Sequence, residues 1–243
     1  MKIKSLLLSV VMLVSAGFLG SCTEEEKGNA KVSFQAVNST TRMKTAPVSG
    51  VVINTFKVNI DEIEFEFYDS PSDRFPDGES YSELELEGPF EVDLVREGNT
   101  QLTNLVSGIT LPQATFDEIE FEFERSENRG SPLHGRSILV RGTINGTPFE
   151  YFSTIDEFTV EIEFEPPVDL STAGGVSVTI SVDLAAIFNP QLGGVDISGA
   201  RDGNGNGTIE IHLLDNDGNR ALADRLDDAI WAAIDSIEER YDD

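Results

Sequence analysis

Asp61-Glu62-Ile63-Glu64-Phe65-Glu66-Phe67 recurs residue for residue as Asp117-Glu118-Ile119-Glu120-Phe121-Glu122-Phe123, and Val160-Glu161-Ile162-Glu163-Phe164-Glu165 is a looser third copy. Each copy alternates apolar and acidic residues. Successive side chains of a strand point to opposite faces, so Ile63, Phe65 and Phe67 share one face while Glu64 and Glu66 share the other. At the helical period the same residues would scatter around the cylinder. The three segments are therefore strands with one side toward a core. Their acidic side admits two readings, a glutamate ladder that holds metal or the solvated face of an antiparallel sheet. Like charges placed directly opposite one another repel, so these strands are expected not to pair glutamate with glutamate. Similarity around the copies is thin, which favours recurring strand chemistry over duplication.

Working outward, the alternation Val32, Phe34, Ala36 makes residues 31–37 a half-buried strand, and residues 38–50, rich in Ser, Thr, Pro and Gly, read as a loop. Further strands are expected at 82–87, 90–95, 101–106, 137–144, 148–154 and 176–183. Asn145-Gly146 marks a two-residue hairpin turn, because both central positions of that turn need positive φ. Pro166-Pro167 is expected to end a strand. Many short strands with turns between them indicate a mainly β fold, an antiparallel β-sandwich. At the C-terminal end, Leu222, Leu226, Ile230, Ala233, Ile237 and Tyr241 form one stripe of an amphipathic helix over 219–241, with Asn219 or Asp217 as its cap. Its polar face is acid-rich, where membrane-surface helices favour Lys and Arg. Packing against the sheet or a partner is the expectation.

The start of the chain differs from the rest. Lys2 and Lys4 precede an apolar run of about 14 residues from Leu6 to Leu19, too short to span the roughly 30 Å hydrocarbon core comfortably as a helix. A basic start, a short apolar stretch and small residues make a secretory signal peptide. The run closes on Leu19-Gly20-Ser21-Cys22, which resembles the bacterial lipobox, an apolar residue and two small residues before cysteine. The resemblance implies cleavage between Ser21 and Cys22, a diacylglycerol on the Cys22 sulfur and acylation of the new amino group. Cys22 is the only cysteine in 243 residues, so no disulfide and no cysteine nucleophile is expected in the exported part. Two or more acyl chains make a stable anchor where one is marginal. Glu24, Glu25 and Glu26 after the cysteine resemble a signal that sends lipoproteins to the outer membrane, with display on the cell surface as one outcome. The expected organisation is a signal peptide over 1–21, an acidic tether over 22–30, a β-sandwich over 31–190, and over 191–243 a Gly/Asn/Asp-rich loop, a strand and the helix packed on the sandwich.

The formal net charge is −27, and removing residues 1–21 takes away only Lys2 and Lys4, leaving 15 basic against 44 acidic residues. Such a field repels nucleic acid and anionic headgroups, so no nucleic-acid partner is expected, while cations are attracted. Fifteen phenylalanines among 39% hydrophobic residues supply a core, so the acidity does not imply disorder.

Residues 111–124 (LPQATFDEIEFEFE) and 176–190 (VSVTISVDLAAIFNP), with the lipobox, resemble a family of uncharacterised bacterial outer-membrane lipoproteins carrying an immunoglobulin-like or transthyretin-like β-sandwich. The resemblance covers roughly residues 31–190, and Gln113 stands where the family usually has Gly after Leu-Pro. It implies a fold and a location but no activity.

One segment carries chemistry of its own. Asp202-Gly203-Asn204-Gly205-Asn206-Gly207-Thr208-Ile209-Glu210 resembles the first nine positions of an EF-hand calcium loop. Oxygen ligands would come from Asp202, Asn204, Asn206, the Thr208 carbonyl and Glu210. Position twelve, normally a bidentate Glu, is Leu213, and residues 208–214 look like a strand. Asp215, Asp217 and Asn219 would supply the missing ligands if the chain folds back. The plainer reading is a Gly-Asn turn. Enzyme chemistry finds little support: there are two histidines, His134 and His212, and no nucleophile elbow, phosphate loop or His-based metal motif. No catalytic residue is assigned, and the alternative is a surface or periplasmic hydrolase using a carboxylate pair. The leading expectation is a lipid-anchored, non-catalytic binding or structural lipoprotein whose loops 69–80 and 125–136 meet a glycan or protein ligand. A further alternative is an assembly subunit that pairs by strand addition.

Overall fold

The computed structural model describes residues 29–37, 50–67, 83–111, 115–169 and 175–235. Ser21 and Cys22, the 69–80 loop, most of the 38–50 loop and the last part of the helix pattern, Ile237 and Tyr241 included, lie outside the described residues.

Eleven strands are described: β1 (Asn29–Val37), β2 (Val51–Phe67), β3 (Glu83–Arg96), β4 (Asn99–Thr100), β5 (Leu102–Thr110), β6 (Thr115–Glu124), β7 (Ile138–Ile144), β8 (Thr147–Ser153), β9 (Glu157–Asp169), β10 (Gly175–Asp183) and β11 (Ile209–Ile211). Two α-helices follow β10: α1 (Leu184–Phe188) and α2 (Arg220–Asp235). The smaller sheet runs β10-β1-β5. The larger runs β11-β8-β7-β2-β3-β4, with β6 on β2 and β9 on β6. The β-rich, sandwich-like architecture read from the alternation is therefore what the chain adopts. Phe34 on β1 meets Phe121 and Phe123 on β6 edge to face, at 5.3 and 6.4 Å between ring centroids, so the inner faces of the two sheets interlock. Each such fully buried phenylalanine contributes about 1.5–3 kcal/mol by leaving water.

The organising element is β2, 17 residues long. Residues 51–58 pair with β7 on one flank, residues 62–67 pair with β6 on that same flank, and β3 pairs along the other flank of both halves. The strand thus serves a fork. At its crotch Asn59 is fully buried; its main-chain N–H donates to the Ser137 carbonyl at 2.9 Å and its side-chain amide to the Glu124 carbonyl at 3.1 Å. One residue, through its side chain and its main chain, therefore ties the end of β6 to the approach of β7.

Several expectations are corrected. The sheets are mixed, not purely antiparallel: β1 pairs β10 and β11 pairs β8 in parallel. Parallel partners need long connections rather than hairpins, so no turn signal announces them. Residues 82–87 and 90–95 are one strand, β3, and β9 does not end at Pro166-Pro167 but runs on to Asp169. Both long strands absorb proline the same way. Gly88-Pro89 falls in the shift between the pairs Ile60–Phe90 and Glu62–Glu87, and Pro166-Pro167 in the shift between Glu118–Glu163 and Phe116–Val168. A residue left out of the ladder needs no N–H, so proline is tolerated there. The expected strand at 208–214 shrinks to Ile209–Ile211. Helix α1 was not anticipated; Asp183 caps it by accepting the Ala185 N–H.

Two elements form as read. Asn145 and Gly146 take φ of 51° and 86° between β7 and β8, as the hairpin requires. Helix α2 buries Ala223, Leu226, Ile230, Trp231, Ala233 and Ile234. Trp231 lies 4.3 Å from the Phe158 ring and 5.6 Å from Phe123, and Tyr151 on β8 donates to Asp227 at 2.7 Å. The helix is thereby fixed to the larger sheet.

Candidate functional site

The repeated acidic strands are neighbours. Across β3, β2, β6 and β9 the register sets Glu85, Glu64, Glu120 and Glu161 in one row, and Glu83, Glu66, Glu118 and Glu163 in the next. A third row holds Glu87, Glu62 and Glu122, closed by Thr159. The expectation that glutamate would not oppose glutamate is overturned. The cause is the other face. Ile63, Phe65, Ile119, Phe121, Val160 and Ile162 are all buried, and with a period of two, aligning them inward aligns every glutamate outward. A like-charge cross-strand pair costs up to about 1 kcal/mol, less than the burial of one phenylalanine.

The glutamates answer by holding protons. Loss of solvent, followed by repulsion from neighbouring carboxylates, pushes Glu62, Glu64 and Glu118 up to about 7, against an ordinary 4.5. Glu66, Glu120, Glu122 and Glu124 rise for the same two reasons, in the same order. Glu66, Glu118 and Glu120 each bring a carboxylate oxygen within 4.8 Å of the others.

The residues singled out for calcium lie in one loop. Asp202 accepts the N–H groups of Gly205, Asn206 and Gly207 at 2.7–3.1 Å. Asn204 and Asn206 accept from Asn206 and Thr208 and turn their amide nitrogens to the Glu210 carboxylate, at 3.2 and 3.3 Å. The chain does fold back. Asp217 accepts from Gly203, Asn204 and Glu210, and the Asn219 side chain bonds the main chain of Arg201 and Glu210. Both side chains named as helix caps are thus spent on the loop. Asp215, which the sequence offered only as a spare ligand, is 2% exposed; one carboxylate oxygen accepts the N–H groups of Asp217, Gly218 and Asn219.

The 125–136 loop is closed by main-chain bonds from Ser126 to Arg136 and from Gly135 to Ser126. It walls an open polar cleft that includes Arg125, Glu127, Arg129, His134 and Asp156, with Arg125 paired to Asp156. His212 stacks on Phe152 at 4.2 Å and sits far along the chain from His134. Among the described residues no helix is long and apolar enough to cross a membrane. No protein family, curated protein or solved structure matches the chain.

Proposed function

We propose that this chain is a lipid-anchored, non-catalytic lipoprotein of the outer membrane, related to the β-sandwich lipoproteins it resembles, which presents a glycan- or protein-binding surface on its loops. The observation that carries the reading is Leu19-Gly20-Ser21-Cys22 behind a short apolar run, with Cys22 the only cysteine. The sandwich and the polar cleft at the 125–136 loop support it, since binding residues concentrate on loops held by a rigid scaffold. The test is metabolic labelling of the full chain with a palmitate analogue. Label and membrane fractionation both lost in Cys22→Ala are the expected result; an unlabelled wild-type chain sinks the anchor. Saturable glycan or protein binding that Arg129→Ala weakens would place the ligand at the cleft, and turnover of a bound substrate would replace the binding reading with the hydrolase.

Strand addition is a second reading, favoured by β10. Among the described residues it pairs only with β1, and Val176-Ser177-Val178-Thr179-Ile180-Ser181-Val182 carries no charge, whereas the edge strand β9 is studded with glutamate. Concentration-dependent oligomers in light scattering, abolished by Thr179→Lys, are its expected signature; a monomer at all concentrations removes it.

A further inference from the structure

Sheets protect their open edges with charge, bulges or shortness, because a free row of N–H and C=O groups templates another strand. Among the described residues the other edges carry such devices. β9 and the long β3 bear glutamates, β4 and β11 are two and three residues long, and β5 shifts register with β1 twice. β10 has none of them. It keeps register with β1 over all nine residues, and its only charged residue is the terminal Asp183, whose carboxylate caps α1.

The strand is also its own complement. Laid antiparallel on a copy of itself about Thr179, it sets Thr179 opposite Thr179, Ser177 opposite Ser181, Val178 opposite Ile180 and Val176 opposite Val182. Val178, Ile180 and Val182 are buried, Ser177 is exposed, and Thr179 and Ser181 are half-buried. Hydroxyls therefore meet hydroxyls on the outer face, and apolar residues of matched size meet on the inner face. The same operation on β9 about Ile162 would set Glu161 against Glu163.

We infer that β10 pairs with β10 of a second copy of this chain, antiparallel about a two-fold axis at Thr179, so that two three-stranded sheets become one continuous sheet. The inference rests on the strand-addition reading and names its partner. A foreign strand would need only to be extended and uncharged; the match of size and polarity at every position is what favours a copy. Chains of net charge −27 repel one another, and along this edge two of them meet without opposing carboxylates. A contact that uses the same patch on both copies closes on itself, so the assembly stops at a dimer.

The test traps the register with disulfides in the full-length chain in detergent, each variant carrying Cys22→Ala so that the introduced cysteine is the only thiol. Opposed residues of an antiparallel pair stand about 4.5–5.5 Å apart between Cα atoms, within reach of a disulfide. Cysteine is close in size to serine and threonine, so folding is not at issue. Thr179→Cys should give a cross-linked dimer under mild oxidation. Ser177→Cys and Ser181→Cys should each stay monomeric alone, since like positions lie about 13 Å apart along the strands. Mixed, those two should cross-link several-fold more than either does by itself. Self-cross-linking of Ser177→Cys overturns the inference in favour of a parallel or slipped pair. Oligomers that grow with concentration and are abolished by Thr179→Lys, yet are trapped by none of the cysteines, overturn the antiparallel self-pair and leave strand addition standing. A chain that is monomeric at all concentrations and traps no dimer removes both.

Discussion

The two halves of the β2–β3 pair share strands, a core and a sheet, yet manage charge in opposite ways. In the first half, Lys57 stands opposite Asp93 and bonds it at 2.7 Å, Arg96 pairs with the same carboxylate, and on β7 and β8 Arg141 stands opposite Glu150 at 2.6 Å. Burial pushes the Asp93 carboxyl up, but Lys57 and Arg96 outweigh it and hold it below its ordinary range. In the second half, glutamate faces glutamate across four strands, and every carboxylate with a resolved shift there is raised. Both halves bury apolar residues on the inner face. Sheet architecture is therefore set by the inward residues, and the outward chemistry is free to differ.

The sharpest way to break this comparison is to attack the shared inward face. Phe121→Ala behind the glutamates and Phe56→Ala behind the ion pairs should each lose about 3–5 kcal/mol in denaturant unfolding, both being fully buried. A loss under about 1 kcal/mol at Phe121 would mean that the acidic half is not held by its core. Next comes Lys57→Met, which leaves the 7%-exposed Asp93 with only the exposed Arg96. A loss of about 1–3 kcal/mol is expected in the same experiment, and a neutral result would deny the first half its ion pairing.

The pH response should separate the halves without mutation. Carboxyls raised to about 7 favour the folded state in acid, and that contribution is lost as pH climbs from 4.5 through 7. The lowered Asp93 works the other way: its contribution is present above its ordinary 3.8 and disappears only as pH falls below that. Between about pH 5 and pH 8 the raised glutamates of the second half lose their protons while the lowered Asp93 stays ionised, so the denaturation midpoint should be lower at the alkaline end. A midpoint that rises over that interval would contradict the raised glutamates. The smallest effect is the most diagnostic. Glu64→Thr, which interrupts the central row, should stabilise by about 0.5 kcal/mol at pH 8 and by nothing measurable at pH 5, read as midpoint shifts in the two buffers.

How much of this was legible depended on whether the signal was local. The alternation over 61–67, 117–123 and 160–165 specifies strands and their inward residues, and Asn145-Gly146 specifies its turn, because both follow from neighbours in the chain. Which strands lie side by side does not. Repulsion between two strands taken in isolation is overridden because Phe65, Ile119 and Ile162 must all face inward. Pro166-Pro167 misled because a proline's cost depends on whether the ladder needs an N–H at its position, and here it falls in a bulge where none is needed. In the loop, the spacing of Asp202, Asn204 and Asn206 was visible. The buried carboxylate of Asp215 was not, since burial there depends on how the turn before α2 closes over it. The Asp-Asn-Asp-Gly run at 215–218, which follows the related Asp-Gly-Asn-Gly of 202–205, is the signal that could have drawn attention to it.

Asn59 sits where β6 and β7 part company on the same flank of β2, bonded toward both. Two panels fastened to one bar at a rigid joint cannot breathe independently. A proton gained or lost among the glutamates is then registered throughout the body, as a change in how often the whole sheet opens to solvent rather than in the fraying of one corner.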